Sequence, residues 1–360
     1  MKKSTVIFIP TLSDGGAERV AVNLSNSLSL RGKKIILLTL KKNNNYKHEI
    51  SSNVKLVELK SSRLLSSIYE ISKFLVLEKP GYLISFLYAS CIISVISKLL
   101  SFSDVKIIFS LHNNFEKSKN SIKSRLTLYC FKFFIKFSYK VIAVSKGLKS
   151  QIQNKFNIPE KKIHYIYNPI FKKNLITESL KKNYSLHLFK KNKINILIIG
   201  RLTKQKNQIL IIKNLRKFKN LNKIQLFILG SGENLKLLKD EVLKNKLNSK
   251  VKFLGYKKNP YCFIRYCDYL LVPSLWEGFG NIIGEGLFFK KKIISSNCDY
   301  GPNEILEKGK YGYLFKVNSS KDLIKTFEKS FSDKRLIPNS IFLNQFKVSE
   351  VSKKYEELLI

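Results

Sequence analysis

Arginine, alanine and paired cysteines are what this sequence is short of, and each shortage closes off a class of function. The chain carries a formal net charge of +41, which ordinarily points to nucleic acid. Yet only eight of its 66 basic residues are arginine and only four residues are alanine, against abundant Ile, Asn, Phe and Tyr. That skew reads as a genome-wide nucleotide bias. A phosphate-reading surface would favour the bidentate guanidinium, so no nucleic-acid partner is expected. The five cysteines, Cys91, Cys130, Cys262, Cys267 and Cys298, form no Cys-x-x-Cys pair and no even framework. They exclude a disulfide scaffold and read as reduced, cytosolic thiols. The four histidines, His48, His112, His164 and His187, lack zinc-like spacing, so no metal centre is expected.

Long apolar runs are also missing. The run after Met1-Lys2-Lys3 is too short for the core of a cleavable signal. The segment 82–97 carries no charge and approaches spanning length, but it holds four serines. It parses better as a buried strand, Tyr82–Leu87, followed by a helix, Ala89–Leu100. No internal repeat or low-complexity block stands out. What is present is ample: 44% hydrophobic residues, 17 Tyr and 25 Phe argue against disorder, and 360 residues suffice for two domains with full cores.

Strand-like and helix-like patterns alternate along the chain. Strands are expected at Val6–Pro10, Lys34–Thr39, Val54–Leu59, Tyr82–Leu87, Lys106–Leu111 and Lys140–Val144. A second series comprises Asn195–Ile199, Gln225–Leu229, Val251–Phe253, Tyr269–Val272 and Lys292–Ser295. Helical patterns lie between them, among them Glu18–Leu30, Ser62–Leu77, Ile122–Phe137, Asn207–Phe218 and Glu233–Asn245. Short β-branched runs alternating with amphipathic helices imply parallel sheets covered on both faces. Two such series imply an α/β protein of two Rossmann-like domains, at 1–180 and 190–340. The break is expected in the lysine- and asparagine-rich stretch 172–193, and a terminal helix at 341–360. The helix pattern 122–139 mixes Lys123, Arg125, Lys132 and Lys136 with Tyr129, Phe131, Phe133, Phe134 and Phe137. It suits a membrane interface, but an ordinary amphipathic helix packed on the first sheet is the expectation, with lysine stems along its surface.

The chemistry gathers after strands, where open α/β sheets bind ligands. Gly15 and Gly16 follow the first strand, at a helix start. His112 follows Lys106–Leu111. Arg201 and Lys206 lie on the loop after Asn195–Ile199. Glu277 and Glu285, eight residues apart in PSLWEGFGNIIGEGL (273–287), follow Tyr269–Val272, and SNCDYGPNEIL (296–306) follows the last strand. In Gly-Phe-Gly the glycines let backbone N–H groups approach a phosphate or sugar oxygen. The helix opening near Asn281 adds unpaired donors and a partial charge of roughly +0.5. A carboxylate accepts from the vicinal hydroxyls of a ribose or sugar ring. Taken alone, Glu-Gly-Phe-Gly would be read as a glycine-rich surface turn. Polar constellations at five strand ends are what raise it above that.

These residues resemble the retaining glycosyltransferases of family 4, which have the two-domain GT-B fold. The resemblance is carried by GGAER (15–19), GRLTKQKN (200–207), VKFLGYKKNPY (251–261), PSLWEGFGNIIGE (273–285) and ISSNCDYGPNEIL (294–306), and it runs from residue 5 to about 315. It implies a nucleotide-sugar donor as substrate, no cofactor, and sheets facing across a cleft. The acceptor would lie on the N-terminal domain and the donor on the C-terminal one, with the tail as a crossover helix. By resemblance, Arg201 and Lys206 bind the donor diphosphate, Glu285 holds the ribose and Glu277 faces the sugar hydroxyls. Phe279, Gly280, Asn281 and Ile282 line sugar and phosphate. Gly15 and Gly16 form the loop near donor phosphates and acceptor, and His112 contacts the donor sugar. The catalytic set implied is Glu277, His112, Arg201 and Lys206. The Asp-x-Asp pair of metal-dependent glycosyltransferases is missing.

The subgroup with GGAER near its start implies transfer of a hexose or N-acetylhexosamine, from a UDP-sugar, to a lipid-linked oligosaccharide or lipopolysaccharide-type acceptor. The enzyme would sit on the anionic inner face of a bacterial membrane. Two alternatives stand beside it. One is a phosphorylase- or epimerase-like GT-B activity; the other is a non-enzymatic basic protein on membrane or nucleic acid. The chain departs from the family after Glu285, where Gly286, Phe288, Phe289, Lys290 and Lys292 replace Ala, small residues, Gly and Pro. Lys290 stands where a glycine usually supplies the left-handed cap, at an expected cost of about 1 kcal/mol.

Overall fold

The computed structural model describes residues 3–13, 15–41, 45–112, 122–181, 184–333 and 335–359. The chain divides into two compact units, one of residues 1–170 and 345–360 and the other of residues 171–344.

The first unit is built on seven strands: β1 (Thr5–Phe8), β2 (Ile35–Leu40), β3 (Lys55–Leu59), β4 (Tyr82–Phe86), β5 (Lys106–Leu111), β6 (Lys140–Ala143) and β7 (Ile163–Tyr165). They pair in the order β3-β2-β1-β4-β5-β6-β7, every neighbour parallel. The second unit holds β8 (Ile194–Ile199), β9 (Ile224–Leu229), β10 (Val251–Gly255), β11 (Tyr269–Val272), β12 (Lys292–Ser296) and β13 (Tyr313–Phe315), in the order β10-β9-β8-β11-β12-β13, again all parallel. Both sheets reverse direction beside their first strand, at β1/β4 and β8/β11. This is the doubly wound Rossmann order, and it opens a crevice at the carboxyl ends of those strands.

Sequence dictates this through burial. The central strands TVIF, IILLTL and YLLV are buried at every position, as parallel strands covered by helices on both faces require. The uncharged stretch 82–97 resolves into β4 and the helix Tyr88–Leu100. Among the described residues, no helix is long and apolar enough to cross a membrane. All five cysteines are free.

Three expectations shift. The lysine-rich stretch expected as the break contains a helix, Leu175–Leu180, inside the second unit. Its buried Leu175 and Ser179 and the 2.7 Å bond from Asn259 Nδ2 to the Glu178 carbonyl hold it there. The tail is not one helix. Ser340–Asn344 and Val348–Glu357 are separate, because Phe346 is buried between them and its carbonyl accepts from Ile170 N–H at 2.9 Å. The helix expected at 62–77 begins only at Ser67, since the Glu70 carboxylate folds back to accept the N–H groups of Lys60 and Ser61.

The segment 345–360 completes the first unit. Val351 and Tyr355 join the core formed by Ile7, Leu24, Leu37 and Ile108. At the rim, Arg31 and Lys33 bracket Glu356 at 2.6 and 3.1 Å and hold its carboxyl below the usual range.

Candidate active site

In the second unit, the loops leaving β8 and β11 approach each other at the point where strand order reverses. Gln205 binds the β11 loop twice, through Leu275 N–H to its carbonyl at 2.8 Å and from its Nε2 to the Trp276 carbonyl at 2.9 Å. This brings Lys206 Nζ to 2.6 Å from Glu277 Oε1. Ser274 Oγ donates to the same carboxylate oxygen at 2.7 Å, and the Ser274 carbonyl accepts from Ser296 Oγ on β12. Glu277 is only 6% exposed, so its charge is sustained by a cation and a hydroxyl in place of water. Arg201 stands exposed on the β8 loop, whose course is fixed by Gln208 Nε2 donating to the Arg201 carbonyl at 2.9 Å.

Beyond Glu277 the chain turns at Gly280, whose φ of 95° and ψ of 54° are open to glycine at no cost. Asn281 then opens the helix Asn281–Phe288. Ile283 N–H closes on the Gly280 carbonyl at 2.9 Å, and the helix start carries the positive end of the helix dipole. Asn281 and Ile282 are half-buried, Phe279 is buried, and Glu285 lies buried one turn into the helix.

The 277–280 loop is held from behind by Gly301. A Cβ there would fall 1.7 Å from the Phe279 carbonyl oxygen and 2.2 Å from its carbon. Tyr300, just before it, adopts φ 80° and ψ −63°, the strained γ-turn geometry. Backbone strain of this kind concentrates at ligand sites. Cys298, close by, is buried, and its thiol is pushed up to about 12 by desolvation and then by the Glu277 charge.

After Glu285 the helix closes as a Schellman motif. Lys290 N–H binds the Leu287 carbonyl at 3.0 Å and Lys291 N–H binds that of Gly286 at 2.9 Å. Lys290 takes φ 55°, so a lysine occupies the left-handed position the sequence pointed to. Gly286 also has a physical cause: a Cβ there would meet Leu270 Cδ2 at 2.7 Å and Ile293 Cδ1 at 3.1 Å.

In the first unit, Gly15 caps the helix Gly16–Leu30 in extended conformation, with the Glu18 carboxylate lying over it. His112 directly follows β5 and is buried, its ring stacked on Phe86 with centroids 4.7 Å apart. Desolvation drives its pKa down to about 3, with Asn168 offsetting part of the shift. Its Nε2 lies 2.9 Å from Ser110 Oγ, and Ser110 Oγ lies 3.1 Å from the Tyr355 hydroxyl.

The structure thus brings Lys206 and Glu277 into direct contact. It sets Arg201, Phe279, Gly280, Asn281, Ile282 and Glu285 on the same two loops and their helix. Gly15, Gly16 and His112 belong to the other unit.

Residues 182–341 match the family model of glycosyl transferases group 1, and residues 14–171 match that of glycosyltransferase family 4. The chain is 31% identical over 287 residues to the uncharacterised glycosyltransferase MJ1178 of Methanocaldococcus jannaschii, an overlap of 78% of this chain and 74% of that one. This chain belongs to the glycosyltransferases.

The glycosyltransferase is also 27% identical over 360 residues to the Campylobacter jejuni N-acetylgalactosamine-N,N'-diacetylbacillosaminyl-diphospho-undecaprenol 4-alpha-N-acetylgalactosaminyltransferase, across 92% of this chain and 90% of that one. The crystal structure of Anabaena HepE in complex with UDP-glucose matches this chain with a TM-score of 0.83 at 18% identity over 99% of both chains. That likeness establishes the fold as GT-B.

Several residues that build the site carried no sequence signal of their own. Gln205 acts through a hydrogen bond that joins segments 71 residues apart in sequence, Ser274 through a local one to Glu277, three residues on, and Tyr355 reaches Ser110 from 245 residues away. Gly301 was visible within SNCDYGPNEIL, but its role depends on the Phe279 backbone passing beside it.

Proposed function

We propose that this glycosyltransferase is a retaining, metal-independent enzyme of family 4. It moves a hexose or N-acetylhexosamine from a UDP-sugar to a lipid-linked oligosaccharide or lipopolysaccharide-type acceptor. The observation that carries this reading is the Lys206–Glu277 pair at 2.6 Å across the β8/β11 switch point, beside the opening of the helix that bears Glu285. A diphosphate seated at that helix end would meet its N–H groups, Lys206 and Arg201, while Glu277 accepts from sugar hydroxyls and Glu285 from the ribose. Phe279, Gly280, Asn281 and Ile282 would line the donor.

In the reaction, the bond between the anomeric carbon and the diphosphate oxygen breaks as the acceptor oxygen bonds to that carbon. Negative charge grows on the departing diphosphate, and it takes the acceptor's proton. Arg201, Lys206 and the helix end are preorganised where that charge develops, so the step needs no metal. His112 would contact the donor sugar, and Gly15 and Gly16 would leave the backbone open near phosphates and acceptor.

Two similarities support the finer reading. The HepE structure holds UDP-glucose, and the Campylobacter relative is named for transfer to an undecaprenol-diphosphate-linked glycan. For peripheral attachment to an anionic membrane surface, the support is the helix Ile122–Phe134 and the turn after it. Phe131 and Ile135 pack inward, whereas Tyr129, Phe133 and Phe137 are exposed beside Lys132 and Lys136. Exposed aromatics with lysines suit an interfacial face.

The deciding experiment measures nucleoside diphosphate released from UDP-, GDP- and ADP-sugars, with and without a lipid-linked glycan extract. Release from one UDP-sugar, stimulated by the extract and lost in Glu285→Ala, is expected. Acceptor-independent turnover would instead favour a phosphorylase- or epimerase-like activity.

A further inference from the structure

Ser110 stands between two buried partners, His112 Nε2 at 2.9 Å and the Tyr355 hydroxyl at 3.1 Å. None of the three is more than 5% exposed, so solvent does not compete for their protons. The imidazole is neutral, and one of its nitrogens carries a hydrogen. Nδ1 has no hydrogen-bond partner among the described residues.

Counting protons separates the two tautomers. A serine hydroxyl donates once and accepts twice, and a phenol donates once. If Tyr355 O–H donates to Ser110 and Ser110 O–H donates to Nε2, both hydroxyl protons are used and only Nδ1–H is unmatched. If Nε2 carried the hydrogen, Ser110 would have to accept it. Either the Ser110 or the Tyr355 proton would then be stranded, and the Nδ1 lone pair with it. The second arrangement buries one more unmatched polar group than the first, which a dry site disfavours.

We propose that Ser110, its hydroxyl oriented by Tyr355 of the tail helix, is a positioning residue that fixes His112 as the neutral Nδ1–H tautomer. The ring then presents a donor at Nδ1. Its complement is an uncharged acceptor oxygen, a hydroxyl or carbonyl, because an anion would call for the imidazolium that burial suppresses. This consequence for the substrate rests on the reading of His112 as facing the donor sugar; the tautomer itself does not.

The test is a long-range 1H–15N correlation spectrum of the full chain labelled with 15N-histidine, with the His112 signals assigned by their loss in His112→Gln. Wild type is expected to show protonated Nδ1 and unprotonated Nε2 at pH 7. Ser110→Ala, which removes the only partner of Nε2 among the described residues, is expected to show a mixture or a shift to Nε2–H. Protonated Nε2 in wild type overturns the proposal, as does an unmixed Nδ1–H state in a folded Ser110→Ala. If that variant does not fold, the wild-type spectrum still decides. The kinetics of Ser110→Ala separate the two readings. A fall in kcat/KM for the sugar donor with UDP affinity unchanged agrees with His112 at the sugar. A shifted tautomer with unchanged turnover leaves the positioning role intact and removes His112 from the donor site.

Discussion

The Phe279 carbonyl oxygen passes 1.7 Å from where a Cβ on Gly301 would stand. This contact is between backbones, so no side-chain rotation relieves it. Gly301→Ala must displace either the 277–280 loop or the start of the helix Gly301–Ile305. We expect a loss of about 2–3 kcal/mol, as for overpacking. Binding of UDP should weaken along with it. Thermal unfolding and calorimetric titration of the same variant check both parts.

Lys206 and Glu277 should be energetically coupled. Removing the lysine leaves a buried carboxylate with Ser274 alone, whereas removing both leaves no stranded charge. A double-mutant cycle over Lys206→Met and Glu277→Gln, read by denaturant unfolding, should show a coupling of about 1–3 kcal/mol. Additive losses would mean that the pair, though close, contributes nothing through its contact.

Arg201 and Glu285 should separate binding from transfer. Arg201 is exposed, so Arg201→Ala should leave stability within about 0.5 kcal/mol while chiefly slowing transfer. Glu285→Ala should mainly weaken nucleotide binding. Unchanged turnover in both variants would remove these residues from the site.

Lys290 carries a left-handed backbone, φ 55°, at the close of the helix that bears Glu285. Lys290→Gly should raise stability by up to about 1 kcal/mol, since glycine takes that conformation without a Cβ penalty. A melting temperature that falls would show that the lysine side chain contributes more than its backbone costs.

His112 makes stability depend on pH. Its folded pKa of about 3 lies below the unfolded value near 6.5. Between those values the unfolded chain takes up a proton that the folded chain refuses, so stability falls as pH drops through this window. The slope approaches about 1.4 kcal/mol per pH unit, or about 2 kcal/mol between pH 6.5 and 5. Urea midpoints of the first unit at pH 7 and pH 5 should differ accordingly, and His112→Gln should flatten the dependence.

Much of this architecture could be read from the chain. Eleven of the strands were legible, most of them because parallel strands buried on both faces write themselves as apolar, β-branched runs, Lys106–Leu111 and Tyr269–Val272 to the residue. β7 and β13 were not, because three residues at a sheet edge are too few to display a period. The helix Leu175–Leu180 was hidden by its lysine-rich surroundings. The tail was misjudged because only tertiary contact, Phe346 with Ile170, interrupts its helical pattern. Within the candidate site, Arg201, Lys206, Glu277 and Glu285 drew attention by type and spacing. Ser274, Gln205 and Tyr355 did not, since ordinary polar residues acquire their roles only from what folding places opposite them.

The return of residues 345–360 to the first unit bears on how the protein is made. That unit opens the sequence, yet Phe346, Val351 and Tyr355 are part of its interior. Its core cannot close while those residues are still within the ribosome. The second unit runs unbroken from Phe171 to Asn344 and has all its parts sooner. The half of the enzyme that is translated first is therefore the half that finishes folding last.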